Sequence, residues 1–161
     1  MGTLYIGFKG KNNTSFQLVS KFSGDLIFLT NSFPGLSRDI TAISGQYDTV
    51  FLFGVDKDLT DSVRIESCAI FHNEFLFSHL SLTQLAAKFL ENGVKNSISN
   101  KPTHYLCNDA YARLLERFGG NVVLIHIPGT RHMTDALLED IRNSIAESSL
   151  ACYNPNRRDL S

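Results

Sequence analysis

The sequence predicts a three-layer α/β/α sandwich around a mostly parallel, mixed central sheet. Three observations predict it. Short runs rich in β-branched and aromatic residues alternate with runs of helical spacing along the chain. Several strand runs, such as Leu26-Ile27-Phe28-Leu29, are apolar at consecutive positions, as strands buried on both faces are. The chain has 161 residues, 43% of them apolar and 19% charged, which suits one packed domain and is too apolar for a disordered chain.

In order, Leu4 to Phe8 reads as the first strand. Ser15 to Phe22 carries apolar residues at 16, 18, 19 and 22, the spacing of a short helix, stopped by Ser23-Gly24-Asp25. Leu26 to Leu29 is a buried strand. Leu36 to Ile43 predicts a helix ended by Ser44-Gly45, and Asp48 to Phe53 a strand ended by Gly54. Val63 to Phe71 reads as one strand, with Phe75-Leu76-Phe77 as a short partner. Ser81-Leu82-Thr83-Gln84 has capping-box spacing and opens a helix to Asn92, with Gly93 as its stop. Ile98 lies in a short extended piece, and Asn108 to Phe118 is helical up to Gly119-Gly120. Val122 to Ile127 is the last core strand, and Pro128 ends it. Thr134 caps a final helix to Glu147. Residues 1–152 are read as one domain and 153–161 as a polar tail.

Composition excludes several classes. Fifteen basic and sixteen acidic residues give a formal net charge of -1, so no basic excess exists to neutralise phosphates, and nucleic acid is not an expected partner. No apolar run is long enough to cross a bilayer, and Met1 opens no signal segment, so neither a membrane nor export is expected. The three cysteines, 68, 107 and 152, form neither a disulfide framework nor a C-x-x-C pair, which suits a reducing, cytoplasmic setting.

Three residues stand out as chemistry. Cys107 sits where an extended segment turns into a helix, and unpaired N–H groups and the positive dipole end there favour the thiolate. His126 lies at the carboxyl end of an apolar strand, the edge where open α/β sheets gather ligands. Glu66 stands among apolar and small neighbours, where a carboxylate needs a partner and can fix an imidazole tautomer. The bland alternatives are a packing cysteine, a core histidine held by a carbonyl, and a salt-bridged or water-facing glutamate.

In the order Glu, Cys, His, these residues resemble the pyroglutamyl peptidase I (pyrrolidone-carboxylate peptidase) family of cysteine peptidases, in divergent and shortened form. Ser99, Tyr105, Leu106, Cys107 and Asn108 fit the family's cysteine segment, with Pro102-Thr103 in place of its Ala-Gly. Ile125-His126-Ile127-Pro128 fits its histidine strand. Glu66-Ser67-Cys68-Ala69 keeps the Glu and Ala of its Glu-Arg-x-Ala and loses the Arg. At the amino end, Gly7-Phe8 and Asn13-Thr14-Ser15 match its first strand and helix start. The second family phenylalanine has no match after Phe8, the glycine-rich turn before the glutamate is replaced by Gly54-Val55-Asp56-Lys57-Asp58, and the interval from Glu66 to Cys107 is shortened.

The resemblance implies a phosphorylase/hydrolase-like fold and a thioester mechanism without metal or cofactor. Cys107 would be the nucleophile, His126 the base and Glu66 its orienter. The substrate would be an amino-terminal pyroglutamyl or similar small amide, with Phe8 as one wall of the slot and Asn13 near its entrance. Asp56 would add charge where the family offers neutral backbone. Homo-oligomers, dimeric or tetrameric, are also implied. The alternative is a family-like binding or assembly protein with an altered pocket and no activity. A zinc site built from His104, Cys107, His126 and His132 matches no common ligand spacing.

Overall fold

The computed structural model describes residues 2–103, 105–148 and 150. The expected polar tail, Cys152 and His104 lie outside the described residues.

The elements follow the expected alternation. They are β1 (Gly2–Phe8), α1 (Thr14–Val19), β2 (Asp25–Leu29), α2 (Phe33–Thr41), β3 (Tyr47–Val55), β4 (Ser62–Glu66), β5 (Cys68–Phe71), β6 (Glu74–Phe77), α3 (Leu82–Glu91), β7 (Lys95–Ser99), α4 (Leu106–Phe118), β8 (Val122–Ile127) and α5 (Asp135–Ala146). Six strands form the central sheet in the order β2-β1-β3-β8-β4-β7. All neighbours run parallel except β4 and β8, which are antiparallel, so the sheet is mixed as expected.

The period of two along each strand decides which layer a side chain joins. On β3, Val50 and Leu52 face one core with Leu36 and Ile40 of α2 and Leu114 and Phe118 of α4. Phe51 and Phe53 face the other core, with Leu18 of α1, Phe89 of α3 and Ile141 of α5. On β8 the same alternation sends Val122 and Leu124 to the α2/α4 side and Val123, Ile125 and Ile127 to the α1/α3/α5 side. His126 shares the parity of Val122 and Leu124 and therefore faces the α4 side.

Beyond shifts of a few residues at element ends, several features differ from the sequence reading, each for a local reason. Val63–Phe71 is two strands: β4 belongs to the main sheet, and the chain breaks at Ser67 so that β5 pairs with β6 in a separate hairpin. The hairpin turn places His72 and Asn73 at φ 49° and 63°, the left-handed pair that a two-residue turn requires. Gly54 does not end β3 but lies inside it, paired with His126. α2 starts at Phe33, because Ser32 accepts a bond from Gly35 N and Pro34 suits a first turn. Ser81 caps α3 without a side-chain bond, so the expected capping box does not form. Thr134 caps α5 as expected, accepting from Leu137 N at 3.1 Å. Phe75 and Phe77 stack on one another on β6 and are 53% and 55% exposed. No helix among the described residues is long and apolar enough to cross a membrane.

Candidate active site

β3, β4, β8 and the first turn of α4 build the site. β3 and β8 end side by side, with Gly54 opposite His126. β4 runs against β8, so Arg64 is opposite His126 and Glu66 opposite Leu124. Arg64 and Glu66 are two residues apart on a strand and share a face, while Val63 and Ile65 enter the other core.

α4 carries Cys107 over that face, and three hydrogen bonds fix it there. Asn108 imitates a strand partner of β5: its Oδ1 accepts from Ile70 N at 3.0 Å and its Nδ2 donates to Ile70 O at 2.9 Å. One turn further on, Tyr111 Oη donates to Glu66 O at 2.8 Å. The start of the helix is thereby tied to the hairpin and to the end of β4. The absent side chain of Gly54 leaves room for the sulfur: a Cβ there would lie 2.5 Å from Cys107 Sγ and 3.4 Å from His126 Nε2. Sulfur and imidazole thus flank a single methyl-sized space.

Glu66 and His126 are buried, at 2% and 3% exposure, and are bonded to one another. His126 Nδ1 lies 2.9 Å from Glu66 Oε1. A carboxylate can only accept, so the proton of that bond is on Nδ1 and the Nε2 lone pair is turned to the Cys107 side. No thiol–imidazole hydrogen bond is present among the described residues.

Arg64 is the residue that sequence reasoning missed. Its Nε donates to Glu66 Oε1 at 2.6 Å and its Nη1 to Asp56 Oδ2 at 2.8 Å, while Nη2 is 3.4 Å from His126 Nδ1. Arg64 and Glu66 two apart on a strand were the available signal, since opposite charges on one face can pair. Burial pulls the Glu66 carboxyl upward, but the bonds and charges of His126 and Arg64 outweigh it and hold the group below the usual range. Burial likewise raises Asp56, and the Asp58 N–H and Arg64 more than offset it. Arg64 is lowered by burial and raised further by Glu66 and Asp56, and the carboxylates win.

The thiol differs from expectation. Burial pushes Cys107 up, the charges of Glu66 and Asp56 add to it, and the backbone N–H groups of Cys107 and Val55 oppose both; the result is about 11. The helix start therefore does not make a resting thiolate, because burial, with the charges of Glu66 and Asp56 added to it, outweighs the backbone N–H groups. Among the described residues, the two buried side-chain oxygens without a partner are Glu66 Oε2 and Thr103 Oγ1.

A cavity of about 610 Å³ opens over Cys107 and His126, walled by Asp56, Arg64, Thr103 and Tyr105. Of the residues expected to bind substrate, Asp56 lines this cavity and is engaged by Arg64. Phe8 is 4% exposed and packed into the α2/α4 core, and it lines neither this cavity nor its neighbour. Asn13 caps α1 and lines the adjoining cavity. Cys68 belongs to β5 and does not continue the Glu66 face; its thiol lies 3.5 Å from Asn100 O. His132 lines the adjoining cavity, away from Cys107 and His126, and among the described residues no three His, Cys, Asp or Glu side chains converge as a metal-binding group.

The architecture defines a class: an α/β/α scaffold that brings a thiol, an imidazole and a carboxylate together where two central strands end. No family model matches the sequence, and no curated protein sequence matches it. Solved structures do match, pyrrolidone carboxyl peptidases among them. The enzyme from Thermus thermophilus superposes with a TM-score of 0.73 at 17% identity, over 89% of this chain and 98% of that one. The enzyme from Fervidobacterium islandicum gives 0.74 at 16% identity, over 91% and 95%. That from Thermococcus litoralis gives 0.69 at 16%, over 91% and 92%. The fold of this chain is the pyrrolidone carboxyl peptidase fold.

Proposed function

We propose that the chain is a cysteine amide hydrolase of the pyroglutamyl peptidase I kind, acting on a small amino-terminal amide through Cys107, His126 and Glu66. The observation that carries this reading is the Glu66–His126 bond at 2.9 Å with Nε2 and the sulfur across one methyl-sized space. The shared fold with the pyrrolidone carboxyl peptidases supports it.

The raised thiol sets the order of events. Cys107 waits as a neutral thiol, and its proton passes to His126 Nε2 as sulfur attacks the carbonyl. The imidazolium then faces Glu66, bonded at Nδ1, and the nearby Asp56 carboxylate, which offset the repulsion of Arg64. Backbone N–H groups at the start of α4 are suited to hold the oxyanion. His126 returns the proton to the leaving amine, a thioester remains on Cys107, and His126 deprotonates the water that releases the acid. Arg64 positions Glu66 and limits its freedom; it is not asked to touch the substrate.

The experiment is a fluorogenic screen of amino-terminally blocked amides, pyroglutamyl amides included, with Cys107→Ala as control. Hydrolysis by the wild type and none by the folded variant is expected. Equal turnover in the two would reject the assignment. A folded wild type that cleaves nothing, while binding the same compounds reversibly, would favour the non-catalytic alternative.

A further inference from the structure

We propose that the cavity adjoining the Cys107 cleft is a binding site for a carboxylate group of the substrate, so that the preferred amides are acidic; this rests on the reading of Cys107 as nucleophile. The second cavity, of about 760 Å³, shares Val55, Lys57 and Asp58 with the first. A ligand whose scissile amide lies over Cys107 reaches it by passing along residues 55–58. Its volume is within the range of small-molecule sites, about 300–1,000 Å³.

Its lining is cationic and uncommitted. Lys11, Lys57 and Arg131 border it with Asp58 as the one carboxylate. Among the described residues none of the three cations has an ion-pair partner; exposed cations such as Lys21 and Lys101 also lack one, but Lys11, Lys57 and Arg131 converge on one concavity. Like charges around one concavity repel, and an anion between them relieves that repulsion. Asn13 adds a directed donor: its Oδ1 is occupied by Ser15 N at 2.9 Å and Ser15 Oγ at 2.6 Å, which leaves Nδ2 for a ligand. Asp58 on the same wall favours a singly charged group over a doubly charged one. The cleft over Cys107 itself balances Asp56 and Asp58 against Lys57 and Arg64, with Asp56 engaged by Arg64, so the cationic excess belongs to the adjoining cavity: neutral amide in one, carboxylate in the other.

The test has a binding arm and a turnover arm on the full chain. By calorimetry at low salt, glutarate should bind about tenfold or more tightly than glutaramide, the worth of one charge-assisted hydrogen bond. The preference should shrink with added sodium chloride and in K11Q, K57Q and R131Q. In turnover, the aminocoumarin amide of glutaric acid should exceed its carboxamide-capped counterpart in kcat/KM by a similar factor, and combining the three substitutions should bring the ratio near one. Glutarate binding with neither amide cleaved would support the anion site and reject the hydrolase reading. Cleavage of both amides at equal rates without glutarate preference would keep the hydrolase and overturn the site. Tighter binding of inorganic phosphate than of glutarate, or glutarate binding unmoved by all three substitutions, would also overturn it.

Discussion

Replacing Gly54 with alanine adds one methyl group to the floor beneath the sulfur. The backbone accepts it, since Gly54 is not among the glycines with left-handed φ. The space does not. The new carbon would stand 2.5 Å from Cys107 Sγ, 3.3 Å from His126 Cδ2 and 3.4 Å from Nε2. Non-bonded carbon contacts are optimal at about 3.5–4.0 Å, so the sulfur must retreat by roughly 1 Å or more. Gly54 cannot yield instead, because β3 is held between β1 and β8 and residue 54 is paired with His126. Crowding of this kind costs about 1–3 kcal/mol of stability. A displacement of about 1 Å at a reacting atom costs on the order of 10²-fold in rate. The expected variant is folded, modestly less stable in urea, and at least about 100-fold slower on whichever amide the wild type cleaves. Turnover within a few-fold of wild type would mean that the sulfur does not react from above Gly54, and the proposed geometry would fall with it.

Other perturbations read the electrostatics. Glu66→Gln removes one charge that raises the thiol, so alkylation of Cys107 by iodoacetamide at pH 8 should speed up while amide turnover falls; parallel changes in the two rates would contradict the assigned roles. Arg64→Met leaves Glu66 without one of its two hydrogen-bond donors, so the carboxyl should titrate higher and the acid limb of the pH–rate profile should move up; an unmoved profile would reduce Arg64 to packing. The raised thiol also links to stability. A group whose folded value lies above its unfolded one stabilises fully below the unfolded value and loses that contribution as pH rises through the folded one. Between the ordinary 9.0 and about 11, wild type should lose up to about 3 kcal/mol relative to Cys107→Ser, measured by urea unfolding across that range.

The sheet and its faces were legible because strand runs and their parity are local properties. Val122–Ile127 reads as a strand in any window, and its parity assigns His126 a side. The break at Ser67 was not legible, since Val63–Phe71 keeps an apolar pattern throughout and only pairing partners decide that it divides between two sheets. Gly54 looked like a strand end because glycine often is one; its real constraint is a sulfur 53 positions away in the sequence. The thiol was misjudged for the same reason. The helix start is visible at Tyr105–Asn108, but the burial that outweighs it, and the carboxylates that add to that burial from β4 and from the segment after β3, come from parts of the chain distant in sequence. Cys107, His126 and Glu66 were recognisable as chemical residue types in a known order, while Arg64 required knowing which strand runs against which.

The position of β8 ties assembly of the site to closure of the sheet. Among the described residues it is the last strand in sequence, yet it lies between β3 and β4, which do not pair with each other. A ribosome that has released everything up to Phe118 has supplied thiol and carboxylate to a sheet still in two pieces. Those pieces close only when residues 122–127 thread between them, a non-local step of the sort that slows folding. The same six residues deliver the imidazole. Bringing the imidazole beside the thiol and the carboxylate is thus the same event as joining the two halves of the sheet.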